Sequence, residues 1–456
     1  RNAALILRTG GGIGIPLTNL RPRGSRVSTT GGVSSGAVSF LRLFNFSAAT
    51  ISEAAARRPA MMGVLGIHHP DIVEFIMAKE NPSTLYHFNL SIGITNDFMK
   101  KIKLGRGKIH LYHPHDNLTE KDVDVMELWN LICQQAWKVG DPGLVFLDQM
   151  NKSCPTPELG IYEATNPCGE QPLLPYESCN LGNINLGRLI INKKINWKRL
   201  AEIIKLGVHF QDNVIDLCEY PIPELEKMAK TTRKIGVGVM GWADMLIKLG
   251  IRYNSNEAIK LAGKVSKFIQ AAARAASSEL GRERGSFPAF FQSVWKKKGY
   301  KSMRNSSVNT VAPTGTISII AGCSSGIEPL FGLVYRRENL LDLGKTSLLE
   351  VNQDFEENLR LYYKNSPRQA GTVLDQISAS GSCQNIKKLP KSIKDVFRTS
   401  MEISYDWHIK MQAAWQKYTN SAVSKTINLS NNATVTDIKK AYLLAWELGC
   451  KGITVY

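Results

Sequence analysis

The sequence is organised around the stretch Asn166-Pro167-Cys168-Gly169-Glu170. Proline fixes its own φ and glycine tolerates a positive one, so this stretch predicts a tight turn with the cysteine at its tip. A thiol, a carboxyl and an amide within five residues form a set suited to chemistry on a polyol. From these five residues alone, a surface turn that happens to contain a cysteine is an equally good interpretation.

Length and charge indicate a globular protein with anionic partners. The 456 residues are enough for one large barrel or for two to three smaller domains. The net charge of +18 fits nucleic acid, an anionic membrane surface or nucleotides. Lys and Arg are scattered, with neither a zinc-finger spacing nor the aromatic-basic signature of an RNA-binding sheet. Nucleotides therefore fit best, and we expect no direct contact with nucleic acid.

The apolar runs and the cysteine spacing predict a cytoplasmic protein with reduced thiols. No apolar run approaches the roughly 20 residues that span a bilayer, and the start at Arg1–Leu7 is too short for a signal-peptide core. The eight cysteines include no Cys-x-x-Cys pair. A zinc site of Cys154, Cys168 and Cys179 would have suitable ligands but the wrong spacing, so no metal site is predicted.

Helical and extended patterns alternate along the chain. Periodicity predicts helices at Val123–Trp137, Trp197–Leu217 and Asn256–Ala276, and short apolar runs predict strands at Leu5–Leu7, Leu144–Leu147, Ile235–Met240 and Ile453–Tyr456. A capping box at Thr434–Asp437 opens a further helix. Elements that alternate in this way predict an α/β fold with a mainly parallel sheet.

Two longer stretches carry a family resemblance. The first continues from the cysteine turn into Glu177-Ser178-Cys179-Asn180-Leu181-Gly182, and the second runs from Ala312-Pro313-Thr314-Gly315-Thr316 to Gly326-Ile327-Glu328-Pro329. They resemble the active-site region and the substrate-phosphate turn of the ribonucleotide reductase large subunit. The resemblance implies a ten-stranded α/β barrel with the cysteine turn as a loop at its centre. We expect residues 1–456 to form this one catalytic domain, without the family's N-terminal part and C-terminal cysteine tail.

The resemblance also implies a role for each residue of the turn. Cys168 corresponds to the cysteine that becomes a thiyl radical and abstracts the 3′-hydrogen of the ribose. Glu170 would take the proton of the 3′-hydroxyl, and Asn166 would hold the ribose hydroxyls. Cys179 would be one of two thiols that supply the reducing equivalents and end as a disulfide. In the family the second thiol lies upstream of a glycine-rich segment, which corresponds here to residues 10–14, close to the start of the sequence. We therefore do not expect the second thiol in this sequence.

The substrate phosphates are expected where a turn enters a helix, on backbone N–H groups and hydroxyls. The residues that match this part of the family are Pro313, Thr314, Gly315 and Thr316. Ser39 is a further candidate for substrate binding. A plain helix cap is the alternative interpretation. A Walker A motif is excluded because no Gly-Lys-Ser/Thr follows the glycines.

A run of small residues before Ala37 is similar to the loop that links effector binding to substrate choice in the family. Its members are Thr30, Gly31, Gly32, Ser34 and Ser35. An idle flexible loop would have the same composition. The next block departs from the family, with Ala54-Ala55-Ala56 and Pro59 where glycines are expected, and alanines favour helix over loop.

The end of the chain separates two classes of reductase. The class that receives its radical from a separate metal subunit relays it through a Tyr-Tyr pair, and Thr454-Val455 occupy those positions here. The stretches 322–326 and 449–456 look more like the adenosylcobalamin-dependent class II. We therefore expect adenosylcobalamin as the cofactor. A class I-type subunit, a catalytically silent nucleotide-binding regulator and a basic nucleic-acid-binding module are the alternatives.

The resemblance implies several partners. The substrate would be a ribonucleoside di- or triphosphate, and the effector a dNTP or ATP. A thioredoxin- or glutaredoxin-type protein would be the reductant. A homodimer is expected because effector sites in most relatives form between subunits.

Overall fold

The structure is a computed structural model that describes residues 1–52, 58–81, 83–115, 118–340, 345–364 and 366–456. Its strands are β1 (Ile13–Pro16), β2 (Met61–Gly66), β3 (Phe88–Ile94), β4 (Lys108–Tyr112), β5 (Thr119–Asp124), β6 (Gly143–Phe146), β7 (Ala164–Thr165), β8 (Pro172–Leu173), β9 (Asn180–Asn185), β10 (Ile190–Ile191), β11 (Lys194–Ile195), β12 (Ile235–Met240), β13 (Val334–Leu340), β14 (Lys345–Val351), β15 (Thr426–Ile427) and β16 (Gly452–Val455).

Helices connect most of these strands. They are α1 (Asn2–Arg8), α2 (Ala37–Ser52), α3 (Ile72–Met77), α4 (Asn96–Leu104), α5 (Val125–Val139), α6 (Leu147–Lys152), α7 (Trp197–Leu217), α8 (Pro223–Thr232), α9 (Trp242–Leu249), α10 (Asn256–Arg284), α11 (Val294–Lys297), α12 (Gly315–Ala321), α13 (Gln353–Tyr362), α14 (Pro367–Ser380), α15 (Lys391–Val396), α16 (Tyr405–Gln416) and α17 (Val435–Glu447). No helix in the described part of the chain is both long and apolar enough to cross a membrane.

One half of the strand series is a sheet with the order β1-β2-β3-β6-β16-β15, formed by four strands from the start of the chain and the last two strands. Strands β1, β2, β3 and β6 are parallel neighbours, whereas β16 runs antiparallel to β6. The strands β2 and β6 are buried along their whole length, as expected for parallel strands covered on both faces. The predicted α/β architecture with a mainly parallel sheet is confirmed.

The other half of the strand series is built on a parallel pair, β9 and β12. Single bridges extend this pair: Val237 of β12 pairs with Asn309, and Val311 pairs with Val423, just before β15. Hydrogen-bonded segments therefore follow one another from β9 through β12, 307–311 and 421–427 to β16, and from there back to β1. The two ends of this series, β1 and β9, face a common cavity of ≈ 820 Å³.

Two large apolar cores hold the helices against the strands. One contains Leu128 of α5 and Tyr442 of α17 together with Ile92 of β3. The other contains Val208 of α7 and Ile269 of α10 together with Val237 of β12. Since each helix buries one apolar stripe, the strands and the helices form two layers.

Most of the predicted elements are present. Helix α5 begins at the Asp124 cap, whose carboxylate accepts hydrogen bonds from the N–H groups of Met126 and Glu127. It ends at Gly140, which has φ 78°. Helix α7 matches its predicted bounds, and α10 runs to Arg284, beyond the predicted end at Ala276.

The strand predicted at Leu5–Leu7 is wrong, because these residues lie in helix α1. Three consecutive apolar residues fit either structure, and the neighbouring alanines favour helix. The altered block Ala54-Ala55-Ala56 lies outside the described residues.

Candidate active site

The cysteine turn is the loop of a short hairpin formed by β7 and β8. The Asn166 N–H donates to the Gln171 carbonyl at 3.1 Å, and the Gly169 N–H donates to the Asn166 carbonyl at 3.0 Å. Gly169 has φ 82°, a conformation that glycine adopts without strain. Cys168 stands at the tip, and its side chain is exposed. The predicted tight turn is therefore present.

This turn contacts both halves of the strand series. The Asn89 side chain of β3 donates to the Pro167 carbonyl at 2.7 Å. A Cβ on Gly12 would lie 2.7 Å from Pro167, so only glycine fits beside the turn there. From the other half, the Thr310 hydroxyl donates to the Glu170 carbonyl at 3.0 Å. The turn is thus held between the halves through its backbone carbonyls, and within the turn the Asn166 side-chain oxygen accepts a hydrogen bond from the Gln171 N–H at 2.9 Å.

Glu170 is a buried carboxyl next to an exposed thiol. It is 3% exposed, and its Oε2 atom has no hydrogen-bond partner among the described residues. Burial raises the pKa of Glu170, and a hydrogen bond from Asn166 partly opposes this. A carboxylate in this environment has an increased affinity for a proton. The side chains of Glu170 and Asn166 are therefore hydrogen-bonded neighbours, and their predicted roles are those of a base and a neutral hydrogen-bonding group, respectively.

The turn that is predicted to bind the substrate phosphates follows the chain segment that is hydrogen-bonded to Glu170. The Thr310 hydroxyl donates to the Glu170 carbonyl, and Thr314 follows Thr310 by four residues. The Cα atoms of Thr310 and Thr314 are therefore at most about 13 Å apart, because an extended chain advances about 3.3 Å per residue. Thr314 has φ 58°, and its hydroxyl accepts a hydrogen bond from the Gly326 N–H at 2.7 Å. Its side chain makes no cap bond to α12 among the described residues, which speaks against the plain helix cap.

The groups that follow Thr314 are accessible. Gly315 and Thr316 are exposed at the first turn of α12, and Pro313 is half-buried. A Cβ on Gly315 would meet nothing within 4 Å. An anion can therefore approach the backbone N–H groups at this point closely. The structure does not test the predicted role of these residues.

The predicted effector loop forms a small hairpin at the surface. The Val27 N–H donates to the Gly32 carbonyl at 2.8 Å, and Arg26 pairs with Val33. Thr30, Gly31, Gly32 and Ser35 are exposed, whereas Ser34 is half-buried and donates to the Arg21 carbonyl. Ser39 contacts this loop, since its hydroxyl lies 2.6 Å from that of Ser35.

Cys179 lies just before β9, in the wall of the cavity between β1 and β9. The same cavity is lined by Asn166 and Pro167, but by neither Cys168 nor residues 314–316. The structure therefore places Cys179 and the base of the cysteine turn in the wall of one cavity, which the thiol tip does not line. Burial raises the pKa of Cys179, so its sulfur is a protonated thiol at neutral pH.

Comparison with known proteins decides the family. The model of the ribonucleotide reductase barrel domain matches residues 1–456. The chain belongs to the ribonucleotide reductase family.

Two similar proteins are vitamin B12-dependent ribonucleoside-diphosphate reductases. The one from Thermoplasma acidophilum is 47% identical over all of this chain, and one from Mycobacterium tuberculosis is 46% identical. The ribonucleoside-diphosphate reductase subunit alpha of Chlamydia pneumoniae is 28% identical over 98% of the chain. The predicted resemblance to the cobalamin-dependent class is confirmed. The chain spans 58% and 64% of the length of the first two relatives.

A solved structure supports the fold. The class Id ribonucleotide reductase alpha subunit of Actinobacillus ureae superposes with a TM-score of 0.79 at 24% identity, covering all of this chain and 79% of that one. The ribonucleotide reductase barrel that the sequence predicts is therefore confirmed as the fold. Its hydrogen-bonded series of strands and the turn held between the two halves are consistent with a loop at the centre of the barrel.

Sequence reasoning missed the groups that surround Cys179 in this reductase barrel. The Lys234 ammonium lies 2.7 Å from Glu177 Oε2, 3.0 Å from the Tyr162 hydroxyl and 3.0 Å from the Pro172 carbonyl. Its positive charge lowers the pKa of Cys179, against the larger effect of burial. The only signal in the sequence was a lysine directly before the apolar strand β12.

Proposed function

We propose that this barrel is the catalytic domain of a cytoplasmic, adenosylcobalamin-dependent ribonucleotide reductase that converts ribonucleoside diphosphates to 2′-deoxyribonucleotides. The observation that carries the proposal is the turn held between the two halves, with the Cys168 thiol at its tip and the Asn166 and Glu170 side chains beside it. The names of the two most similar relatives reported above support the cofactor and the diphosphate substrate.

The chemistry requires a radical, because a saturated C–O bond does not yield to acid-base catalysis alone. In the proposed mechanism the Cys168 thiyl abstracts the 3′-hydrogen of the ribose. Glu170 accepts the 3′-hydroxyl proton, and its burial favours that transfer. Asn166 holds the ribose hydroxyls. The 2′-hydroxyl then leaves as water, with the hydrogen returned to C3′ from Cys168 at the end.

The reducing equivalents come from two thiols. Cys179 and a second thiol lose two electrons and two protons to the substrate and form a disulfide. A thioredoxin- or glutaredoxin-type protein then reduces that disulfide. The raised pKa of Cys179 keeps it protonated, which is the form that donates hydrogen.

The residues present fit the proposed cofactor. The Cys168 side chain is exposed at the tip of its turn, so a large planar group has access to its sulfur. When bound, adenosylcobalamin supplies the one-electron chemistry that converts the Cys168 thiol to a thiyl radical. A relay through a tyrosine pair is not favoured, because Thr454 and Val455 of β16 carry no phenol.

The remaining partners follow by analogy with the family. The substrate phosphates bind at the N–H groups of Gly315 and Thr316, beside Pro313 and Thr314. A dNTP or ATP binds at the loop that contains Thr30 to Ser35. A homodimer is supported by the exposed apolar side chains of α2, where Leu43 is 59% and Phe46 73% exposed.

The decisive experiment uses the full-length protein with a ribonucleoside diphosphate, a dithiol and adenosylcobalamin, followed by chromatography of the nucleotides. We expect deoxynucleotide only when the cobalamin is present, and none from the Cys168→Ser variant. Activation of cobalamin-free protein by a metal-loaded partner subunit would instead assign it to the two-subunit class. Binding of nucleotides without turnover under either condition would leave the silent regulator as the better assignment.

A further inference from the structure

The loop at residues 24–36 is attached at both ends to one carboxylate, that of Asp71. The Arg23 N–H, just before the loop, donates to Asp71 Oδ1 at 3.0 Å. The Ala37 N–H, just after it, donates to Asp71 Oδ2 at 2.9 Å. Asp71 is 8% exposed, so these are charge-assisted hydrogen bonds shielded from water. One side chain thus holds two backbone positions that are fourteen residues apart.

Asp71 is itself fixed by its neighbours. Its own N–H donates to His69 Nδ1 at 3.0 Å, so His69 Nε2 carries the ring hydrogen and donates to the Leu20 carbonyl at 2.8 Å. Asp71 also precedes α3 as its N-terminal flanking residue. The carboxylate therefore belongs to the segment between β2 and α3, which is distant in sequence from the loop.

Gly36 shows how closely the loop approaches this carboxylate. It has φ 80°, and a Cβ at this position would lie 2.7 Å from Asp71 Oδ2 and 2.7 Å from the Arg23 Cβ. Only glycine can close the loop against Asp71. By contrast, the middle of the loop from Ser28 to Val33 is exposed and is held by hydrogen bonds within the loop itself.

We propose that Asp71 is a positioning residue for substrate specificity, which fixes both ends of the 24–36 loop so that an effector bound there changes the conformation of its tip alone. This inference rests on the proposed function. Coupling between an effector and a substrate needs an element with two arrangements that both ligands bias. With its ends free, the loop would occupy many arrangements, and effector binding would no longer select one of them.

The test uses the full-length protein with Asp71→Asn and Gly36→Ala. The first variant weakens the acceptor, and the second pushes the loop away from an intact carboxylate. The control is Glu74→Gln, which removes the exposed contact of Glu74 with the Arg23 guanidinium at 2.6 Å but leaves both backbone bonds. Two readouts are compared: amide hydrogen exchange at residues 23–37 without nucleotides, and the ratio of kcat/KM for two ribonucleotides with and without each dNTP.

We expect amide exchange at Arg23 and Ala37 to accelerate at least tenfold in both variants, with strands β2 and β3 unchanged. The effector-induced change in the kcat/KM ratio should fall at least fivefold, whereas Glu74→Gln should behave like the wild type. Unchanged exchange in Asp71→Asn would overturn the anchoring, and accelerated exchange with intact effector response would overturn its role in specificity. Absence of any reductase activity in the wild type would refute the proposed function but would leave the exchange result to decide the anchoring.

Discussion

The Lys234 ammonium forms an ion pair with the Glu177 carboxylate at 2.7 Å, and both side chains are almost completely excluded from water, at 1% and 0% exposure. The two residues are 57 positions apart in the chain, and Glu177 lies two residues before Cys179. Both line the cavity that contains this cysteine. The pair therefore joins the start of β12 to the segment that leads into β9, and both of its charges act on the Cys179 thiol.

Replacing Lys234 by Met should destabilise the protein strongly, because Glu177 would remain buried without its partner. Breaking a buried pair in this way typically costs about 3–5 kcal/mol. The measurement is the free energy of unfolding in urea. The control is Lys297→Met, which removes an exposed pair with Glu158 and should cost no more than about 1 kcal/mol. If the two variants lost the same free energy of unfolding, burial would not be what makes the Lys234–Glu177 pair important for stability.

Two substitutions in the turn should differ in the size of their effects. Cys168→Ser should leave no detectable turnover because it removes the sulfur that we propose as the radical carrier. Glu170→Gln should reduce kcat by about 10²- to 10⁴-fold, as expected for loss of a positioned general base. The control is Cys218→Ser, which changes another exposed cysteine and should retain activity. Robust deoxynucleotide formation by Cys168→Ser would exclude the thiyl assignment.

Glu170 should also lower stability at neutral pH. Its pKa is raised by burial, so the folded protein holds the proton more tightly than the unfolded chain does. Stability is then lost as the pH rises from the unfolded value through the folded one. We expect Glu170→Gln to be more stable than the wild type at pH 7, with a smaller difference at pH 4. Urea unfolding of both proteins over this range measures it, and a difference independent of pH would contradict the shift.

Gly315→Ala tests the phosphate site without disturbing the fold. A Cβ there would meet nothing within 4 Å, so the substrate-free protein should keep its stability. The methyl group would block the approach of a phosphate to the N–H groups of α12, and KM for the ribonucleoside diphosphate should rise at least tenfold. The control is Gly371→Ala within α14, where a Cβ also has open space and KM should not change. An unchanged KM in Gly315→Ala would place the phosphates elsewhere.

The parts of the site that sequence could predict are local. Pro167 and Gly169 specify the turn by their own backbone preferences, and the turn is found where they stand. The groups that hold it are distant in sequence: Asn89 donates to a residue 78 positions away, and Thr310 to one 140 positions away. No spacing rule relates such positions. The Asp71 contacts could not be predicted for the same reason, since Asp71 is 48 positions from Arg23 and 34 from Ala37.

The barrel itself was predicted from the resemblance, and the periodic helices from their own pattern. Long amphipathic segments such as α7 gave accurate bounds, because 21 residues contain several turns of the apolar stripe. The short segment at α1 was wrongly predicted as a strand, because seven residues contain too few helical turns for the apolar pattern to distinguish helix from strand. The roles of all the site residues stay predictions: those of Cys168, Glu170, Asn166 and Cys179 in catalysis, those of Ser39 and residues 313–316 in substrate binding, and that of the 30–35 loop in effector binding.

The accessibility of the Cys168 sulfur has a consequence for the handling of the protein. Alkylating reagents and peroxide reach exposed cysteines first, whereas Cys133, Cys154, Cys383 and Cys450 are buried and protected. Oxidation of Cys168 beyond the sulfenic acid would be irreversible and would silence the enzyme without unfolding it. A preparation that has lost activity on storage should therefore keep its melting temperature and show added oxygen on the peptide that contains residue 168.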